Sequence, residues 1–378
     1  MVRRFATDPI TMTAPRFTRL ATELPSTVPF VGPEAQERMR GRPFRARIGA
    51  NESVFGPSPK AVAAMAQAAT ECWMYGDPEN HDLKVALAAH LGLAPQNVVV
   101  GEGIDSLFGY TVRLFVEPGD VVVTSLGAYP TFNFHVAGYG GRLVTVPYAN
   151  DREDPEALLE AVRRERPKIV FFANPDSPMG SWWSGDDVQR FIDRLPGDTV
   201  LVLDEAYVDF APPGTAPKLD VSRPNVIRYR TFSKAYGMAG ARVAYVIAEA
   251  GVAKSFDKIR NHFSVTRLSQ AGALAALADQ AHLRSVVDAV ARGRARIGEI
   301  AAAHGLQALP SATNFVTMDC RADGAFAKRV LEQLIARDVF VRMPGVAPLN
   351  RCIRVSVGTD DDLAAFAECL PQALAAAR

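Results

Sequence analysis

Residues 230–245 of the chain read RTFSKAYGMAGARVAY. Lys234 lies between small and aromatic residues, glycines follow at 237 and 240, and Arg242 comes eight residues after the lysine. A surface loop would carry more charge, and a core strand would carry none. The pattern therefore indicates a site that needs one lysine and one arginine, with glycines that let the chain between them double back.

This segment ends a series of short apolar runs that predict strands. The runs are NVVVGEG, DVVVTSLGAYP, RLVTVPY, KIVFFANPDSP, TVLVLDEAY and NVIRYRTFSK. Helical segments such as DPEALLEAVRRERP separate several of them. Continuous apolar strands that alternate with helices are typical of an α/β fold with a mainly parallel sheet covered by helices on both faces.

The pattern divides the chain into three parts. Residues 1–45 are rich in Pro, Arg and Thr and are predicted to form an N-terminal arm. Residues 46–283 are predicted to form the large domain. Residues 284–378 are predicted to form a smaller α+β domain, in which TNFVTMDC, VFVRMPG and CIRVSVG are strands around the helix AFAKRVLEQLIARD.

Composition excludes several classes of function. The 378 residues have a formal net charge of +1, so bulk electrostatics favour neither nucleic-acid nor membrane binding. The chain lacks an apolar run of transmembrane length, and its first residues do not resemble a secretory signal. The four cysteines and six histidines are dispersed, which predicts no metal site and no disulfide framework. We therefore expect a cytoplasmic protein.

Polar residues follow several of the predicted strands. Ligands of open parallel sheets bind at the carboxyl ends of the strands, so these residues are predicted to meet in one crevice. They are Gly101, Gly103 and Asp105 after the first run, Asn174 after IVFFA, Asp204, Glu205 and Tyr207 after VLVL, and Thr231, Ser233 and Lys234 after VIRYR. Alone, Asp204 could be a helix cap, Asn174 a turn residue, Tyr207 a core aromatic and Lys234 a solvated lysine.

One cofactor uses all of these groups. Pyridoxal 5'-phosphate bonds to a lysine through its aldehyde and uses its pyridine ring as an electron sink. The ring nitrogen requires an acid, the phenolic oxygen requires donors, and the phosphate requires a helix N-terminus, hydroxyls and an arginine. The sequence thus predicts that Lys234 holds the aldehyde carbon and that Arg242 holds the phosphate. The alternative for Arg242, a surface ion pair, fits its apolar setting ARVAYV less well.

From about residue 46 onward the chain resembles the fold-type I pyridoxal-phosphate aminotransferases of class I/II, closest to the histidinol-phosphate aminotransferase branch. The resemblance rests on SKAYGMAGAR together with LDEAY, ANPDSP and IRVSVGT, and ANES and PSATNFV support it. It implies a large domain with a mainly parallel seven-stranded sheet, a smaller C-terminal domain, and a homodimer with shared active sites.

The resemblance also implies roles for single residues in cofactor binding. Lys234 is the catalytic proton carrier, Asp204 pairs with the pyridine nitrogen, and Tyr207 and Asn174 contact the ring hydroxyl. Phe132 in PTF stacks on the pyridine, with core packing as its alternative. The phosphate is held by Thr231, Ser233, Arg242, the backbone amides near Gly103, Ile104 and Asp105, and Tyr75 from the partner subunit.

Substrate contacts follow from the same resemblance. Arg354 in CIRVSVG binds the substrate carboxylate or the equivalent end, Arg342 in VFVRMPG binds a substrate phosphate, and Asn174 also faces the substrate. The alternatives are a strand-edge charge for Arg354 and a solvated strand charge for Arg342. Phe30 in PFVGP occupies a position where the family often has a tyrosine, so one hydroxyl contact is missing.

A second departure lies in the turn NPDSPMG, where Asp176, Ser177 and Met179 alter the family's asparagine-rich sequence. The expected reaction is amino transfer from histidinol phosphate to 2-oxoglutarate, in histidine biosynthesis. An aromatic amino-acid aminotransferase is the nearest alternative, and a decarboxylase of phosphorylated threonine is a more distant one. A regulator with an aminotransferase-like module would need an added DNA-binding domain, for which residues 1–45 leave too little room.

Overall fold

The computed structural model describes residues 15–25 and 31–378, so Phe30 and its predicted substrate contact lie outside the described residues. Helices and strands alternate along most of the chain. The helices are α1 (Arg19–Glu23), α2 (Pro33–Arg40), α3 (Pro59–Ala69), α4 (His81–Leu91), α5 (Ile104–Phe115), α6 (Pro130–Gly138), α7 (Pro155–Glu165), α8 (Gly185–Asp193), α9 (Ala250–Ser255), α10 (Arg267–Ala278), α11 (Gln280–Ala303), α12 (Gly324–Ala336) and α13 (Asp360–Ala377). The strands are β1 (Ala46–Arg47), β2 (Val98–Gly101), β3 (Val121–Ser125), β4 (Arg142–Val146), β5 (Ile169–Ala173), β6 (Val200–Asp204), β7 (Val226–Thr231), β8 (Ala244–Ile247), β9 (Gln307–Ala308), β10 (Phe315–Asp319), β11 (Val339–Phe340) and β12 (Cys352–Ser356).

Seven strands form the main sheet, in the order β2-β8-β7-β6-β5-β3-β4. Strand β8 runs antiparallel to both of its neighbours, and the other pairs are parallel. The prediction of an α/β fold with a mainly parallel seven-stranded sheet is therefore confirmed. Strand β8 overlaps the apolar run ARVAYV, which the spacing of runs alone did not identify as a strand.

Helices cover both faces of this sheet. In β5 the consecutive residues Phe171 and Phe172 are fully buried and belong to different hydrophobic clusters. Phe171 packs in the cluster that contains Phe108 of α5, and Phe172 packs with Phe191 of α8. Since successive side chains of a strand point to opposite faces, this double burial explains why the strands read as continuous apolar runs.

A smaller α+β unit follows in the chain. Its three-stranded antiparallel sheet has the order β12-β10-β9, and helices α12 and α13 pack together beside it. Strand β11 pairs in parallel with β1, which comes from the other end of the chain. The domain limits at residues 45/46 and 283/284 stay a prediction. Strand β1, just after the first limit, pairs with β11 near the other end of the chain, and helix α11 runs across the second limit. In the described residues, no helix combines the length and the apolar character needed to cross a bilayer.

Candidate active site

A cavity of about 360 Å³, called here the inner cavity, opens at the carboxyl ends of the central strands. The sheet topology brings residues that are far apart in sequence to this edge. Eight of the predicted cofactor residues line it: Ile104, Asp105, Asp204, Tyr207, Thr231, Ser233, Lys234 and Arg242.

Lys234 lies three residues after the end of β7 and lines the inner cavity. Its Nζ donates to the backbone carbonyl of Asn51 at 3.0 Å and lies 5.5 Å from the centroid of the Tyr207 ring. The alternative reading as a solvated surface lysine is excluded by this placement. The one hydrogen-bond acceptor found for Nζ among the described residues is a backbone carbonyl, so the nitrogen points into the cavity, where it can bond to a carbonyl carbon.

The chain turns back after Lys234, as the glycines at 237 and 240 led us to expect. Gly237 adopts φ 67°, and a Cβ there would lie 2.2 Å from the carbonyl oxygen of Gly56, so only glycine permits this approach. The return strand β8 begins just after Arg242, whose Nη1 donates to the carbonyl of Ala239 at 2.9 Å and reaches the Ser233 hydroxyl at 3.5 Å. The lysine and the arginine thus line one cavity from the two ends of one turn.

The N-terminus of α5 lies beside Arg242. Gly103 caps this helix with φ 101°, and a Cβ at Gly103 would lie 2.2 Å from Nη2 of Arg242. The Thr231 hydroxyl oxygen accepts from the backbone N–H of Ser233 at 3.0 Å. A helix N-terminus, two hydroxyls and a guanidinium in one corner form an anion site.

Asp204 is the acid of the inner cavity. Its Oδ1 accepts from the backbone N–H of Ala206 at 2.9 Å, and the residue is 7% exposed. No Lys, Arg or His of the described residues makes an ion pair with it. Burial raises the pKa of Asp204 from its usual value of 3.8 to about 7, and Lys234 offsets part of that rise. A buried acid that forms no ion pair within the described residues is suited to a ligand that brings a positive charge.

Asn51 is a central residue of the site to which the sequence assigned no role. Its backbone carbonyl accepts from Lys234, its Nδ2 donates to the Tyr207 hydroxyl at 3.0 Å, and its Oδ1 accepts from Ser356 at 3.0 Å. The motif ANES supported the resemblance but carried no signal for this contact, because Asn51 and Lys234 are 183 positions apart.

Phe132 requires a correction. Its side chain is fully buried in α6, where it stacks on Phe171 at 4.6 Å and meets the edge of Phe108 at 5.5 Å. It does not line the cavity, so the core-packing alternative is the right one. Tyr129, the N-cap of the same helix, lines the cavity in its place, and its hydroxyl donates to Asp105 at 3.0 Å.

Asn174 requires a second correction. Its Nδ2 donates to the carbonyls of Trp183 and Thr215 at 3.1 and 3.0 Å, and its Oδ1 accepts from the backbone N–H of Trp183 at 2.8 Å. Both amide protons therefore serve the protein itself, and the residue is absent from both cavity walls. Ser177, three residues further along the same turn, lines the cavity instead.

Tyr75 lies away from the cavity of its own chain. Its side chain is 76% exposed and packs on Phe263 at a ring distance of 4.7 Å, next to Trp73, which is 83% exposed. The contact with a partner's cofactor stays a prediction.

A second cavity of about 670 Å³, the outer cavity, adjoins the first. Lys234, Tyr207, Tyr129 and Ser177 line both cavities. The outer wall carries Arg342 and Arg354, whose backbones pair with each other through bonds of 3.1 and 2.6 Å.

The two arginines form a cationic wall. Nε of Arg354 is buried without a hydrogen-bond partner in the described part of the chain, and Nη2 only reaches the Gly49 carbonyl at 3.4 Å. Nη2 of Arg342 donates to the carbonyl of Val31 at 2.7 Å. Burial lowers the pKa of both guanidinium groups, and for Arg354 the neighbouring Arg342 lowers it further. Two adjacent half-buried cations favour an anionic ligand.

Comparison with known proteins identifies the class. Residues 47–370 match the family Aminotransferase class I and II, and the chain belongs to this family. It is 36% identical to the histidinol-phosphate aminotransferase of Anaeromyxobacter sp. strain Fw109-5, over 86% of this chain and 90% of the relative. It is 32% identical to the histidinol-phosphate aminotransferase of Moorella thermoacetica, over 87% of this chain and 85% of the relative.

A solved structure extends the comparison. The chain is 56% identical to the crystal structure of histidinol-phosphate aminotransferase from Sinorhizobium meliloti in complex with pyridoxal-5'-phosphate. The match covers 96% of this chain and 99% of that one, with a TM-score of 0.94. The fold and the family predicted from the motifs are therefore confirmed.

The residues of the inner cavity fit pyridoxal phosphate. The anion corner at Arg242 suits the phosphate, and the unpaired buried Asp204 suits a protonated ring nitrogen. Lys234 and Tyr207 line the same cavity as these two groups. The donor set of the described residues thus matches each polar group of this cofactor.

Proposed function

We propose that the chain transfers an amino group from histidinol phosphate to 2-oxoglutarate, with pyridoxal 5'-phosphate in the inner cavity. The observation that carries the proposal is the joining of the two cavities at Lys234. A cavity with the donor set for this cofactor opens into one with two arginines, and the lysine lines both.

The chain's own residues divide the work. When bound, the cofactor supplies an electron sink that stabilises negative charge at the substrate carbon. Lys234 Nζ holds the cofactor and, once released, carries a proton at that nitrogen. Asp204 holds the proton of the ring nitrogen, and Tyr207 donates to the ring hydroxyl. Thr231, Ser233, Arg242 and the N-terminus of α5 hold the phosphate.

The outer cavity supports a substrate with strong negative charge. Arg342 suits the phosphate of histidinol phosphate, and Arg354 suits the carboxylate of glutamate or 2-oxoglutarate. The named relatives act on histidinol phosphate, which favours this donor over an aromatic amino acid. A decarboxylase of phosphorylated threonine would use the same wall, but it would release carbon dioxide without forming a 2-oxo acid.

We further propose a homodimer in the cytoplasm. The exposed aromatic group of Trp73, Tyr75 and Phe263 supports a subunit interface, because large exposed apolar patches mark such contacts. In a dimer Tyr75 would complete the phosphate site of the partner subunit. All four cysteines are free, as expected in a reducing compartment.

Cofactor attachment is tested by borohydride reduction of the purified yellow protein, followed by peptide mass spectrometry. The pyridoxyl label should reside on Lys234. A label on another lysine, or a colourless protein that the cofactor cannot reconstitute, would contradict the assignment.

Substrate choice is tested with Arg342→Ala. The variant should lower kcat/KM for histidinol phosphate by roughly 10- to 150-fold, the worth of a charge-assisted hydrogen bond of about 1.5–3 kcal/mol. Phenylalanine should be little affected because it has no phosphate. The control is Arg45→Ala, which removes an exposed arginine paired with Glu368 on the surface. Equal losses for both donors would mean that Arg342 only supports the site structurally.

A further inference from the structure

Glu102 lies directly before Gly103, the N-cap of α5, and so adjoins the anion corner at Arg242. Its carboxylate contacts Tyr110 and Ser264 instead of lining the inner cavity. A carboxylate beside a phosphate site weakens phosphate binding by repulsion, which is a cost to the site. The contacts of Glu102 therefore indicate a role other than direct contact with the ligand.

Two hydroxyl groups join Glu102 to the loop 261–264. The Tyr110 hydroxyl donates to Oε1 of Glu102 and accepts from the backbone N–H of Asn261 at 3.2 Å. The Ser264 hydroxyl lies 2.8 Å from Oε2 of Glu102 and 2.8 Å from the carbonyl of Asn261, so it can donate to either. Because an ionised carboxylate only accepts, the first chain of hydrogen bonds has a fixed direction, from Asn261 through Tyr110 to Glu102.

Tyr110 remains a donor at neutral pH. Burial, and after it the hydrogen bond to Glu102, raises the pKa of Tyr110 to about 12. The contact between the helix and the loop therefore persists over the pH range in which the protein is handled.

The loop 261–264 in turn positions Tyr75. The loop has no regular secondary structure, and α10 begins three residues after it. The ring of Phe263 packs on the ring of Tyr75 at 4.7 Å. Arg267, the first residue of α10, donates from Nη2 to the carbonyl of Tyr75 at 3.0 Å. The loop and the start of α10 thus hold both the side chain and the backbone of Tyr75.

We propose that Glu102 is a positioning residue for cofactor binding in the partner subunit. It fixes the loop 261–264 against α5, and the loop fixes Tyr75 at the surface of the chain. Glu102 of one chain then determines how well Tyr75 of that chain meets the phosphate held by the partner subunit. The inference rests on the proposed homodimer, in which Tyr75 completes the partner's phosphate site.

The alternative is that Glu102 only shapes the phosphate turn of its own chain. The two roles differ in the site that is damaged when the carboxylate is removed, since one predicts damage in the same subunit and the other in the partner subunit. The contacts favour the partner subunit, because both hydroxyl groups that reach Glu102 also lie within hydrogen-bond distance of the backbone of Asn261 in the loop.

The test uses mixed dimers in which only one subunit can attach the cofactor. Lys234→Ala removes the attachment point from one subunit, so the absorbance of the attached cofactor reports the other subunit's site alone. Subunits with two different affinity tags are produced together, and the mixed dimer is isolated with both tags. Titration of the cofactor-free mixed dimer with pyridoxal phosphate gives the dissociation constant of that one site.

Glu102→Ala is placed in either subunit of the mixed dimer. In the subunit that carries Lys234→Ala, it should raise the dissociation constant of the partner subunit's site. The upper limit is the roughly 10- to 150-fold that the loss of one hydrogen bond to a charged phosphate costs. In the subunit that keeps Lys234, the same change should have little effect, because the Tyr75 that serves this site comes from the unchanged subunit.

The matched control is Glu299→Ala, which removes an exposed glutamate on α11 and should leave the dissociation constant unchanged in either subunit. Ser264→Ala breaks the contact from the loop side and keeps the carboxylate. It should act on the same site as Glu102→Ala, with a smaller effect. Glu102→Gln keeps one acceptor oxygen and should restore part of the affinity. If Glu102→Ala does not fold, these two milder variants give the same comparison.

A loss of affinity confined to the subunit that carries Glu102→Ala, or equal in the two placements, would overturn the proposal. Unchanged dissociation constants in all the mixed dimers would also overturn it, while leaving the cofactor assignment and the proposed reaction intact. Sedimentation of the wild type as a monomer would refute the proposed homodimer, and this inference with it.

Discussion

Asp204 and Glu205 are consecutive buried acids at the end of β6, and they differ in the charged groups around them. Glu205 accepts from Arg228 at 2.5 and 3.1 Å and from Arg230 at 2.9 Å. Burial would raise the pKa of Glu205, but the two arginines outweigh burial and lower it below its usual value. Asp204 accepts one backbone N–H, and burial raises its pKa to about 7.

The difference shows that Glu205 stabilises the fold, whereas Asp204 is suited to bind a ligand. The charge of Glu205 is balanced inside the protein, so its removal should affect stability. The charge of Asp204 is balanced only when a cationic group enters the inner cavity, so its removal should affect chemistry. Adjacent positions in the sequence can therefore have separate roles, because successive side chains of a strand point to opposite faces.

The largest expected effect is on stability. Glu205→Gln should lower the free energy of unfolding by about 3–5 kcal/mol, because it leaves the buried Arg228 without its counter-charge. Urea unfolding of the holoenzyme measures this. The matched control is Glu368→Gln, which breaks the exposed pair with Arg45 and should cost less than about 1 kcal/mol. Similar losses of unfolding free energy in the two variants would contradict the assignment of Glu205 to a stabilising role.

The next effect is on turnover. Asp204→Asn should keep the cofactor and the fold but lower kcat by roughly 100- to 1,000-fold, the usual cost of losing one preorganised electrostatic contact. Steady-state assays with histidinol phosphate measure kcat for Asp204→Asn and for Glu205→Gln. The rate of Glu205→Gln is divided by its folded fraction, so that only the loss of chemistry is compared. Near-normal turnover of Asp204→Asn would mean that another group protonates the ring nitrogen.

The smallest effect is the pH dependence of the cofactor-free protein. The pKa of Asp204 is about 7 when folded and near 3.8 when unfolded, so the folded state binds more protons between these values. The stability contributed by the protonated acid is lost as pH rises towards 7, by about 2 kcal/mol between pH 5 and pH 7. Thermal unfolding at both pH values should give a smaller decline for Asp204→Asn. Parallel declines would mean that Asp204 is not the titrating group.

Much of the site was predictable where one segment carries several contacts. Thr231, Ser233, Lys234 and Arg242 lie within twelve positions, and the pattern of hydroxyls, lysine and glycines indicated a single ligand. The parallel sheet was predictable because double burial produces continuous apolar runs. The reversed direction of β8 was not, because burial pattern alone does not report strand direction.

The errors have a common physical cause. A motif locates a turn or a helix, but the direction of each side chain depends on packing that the motif does not contain. Thus Phe132 points into the core while Tyr129, three residues earlier, lines the cavity. Asn174 folds back onto Trp183, and Ser177 takes its place on the wall. Asn51 was missed because its contacts come from the far ends of the chain.

The pairing of β1 with β11 has a consequence for dissecting the protein. Ala46 and Arg47 pair with Val339 and Phe340, and the carbonyl of Ile48 accepts from the backbone N–H of Ser356 at 2.8 Å. The smaller unit is therefore built from two separate stretches of the chain, because β11 pairs with β1, which precedes the strands of the large sheet. A fragment that starts at residue 284 would expose the unpaired edge of β11. A soluble excised unit would need residues 44–48 joined back to it through a linker.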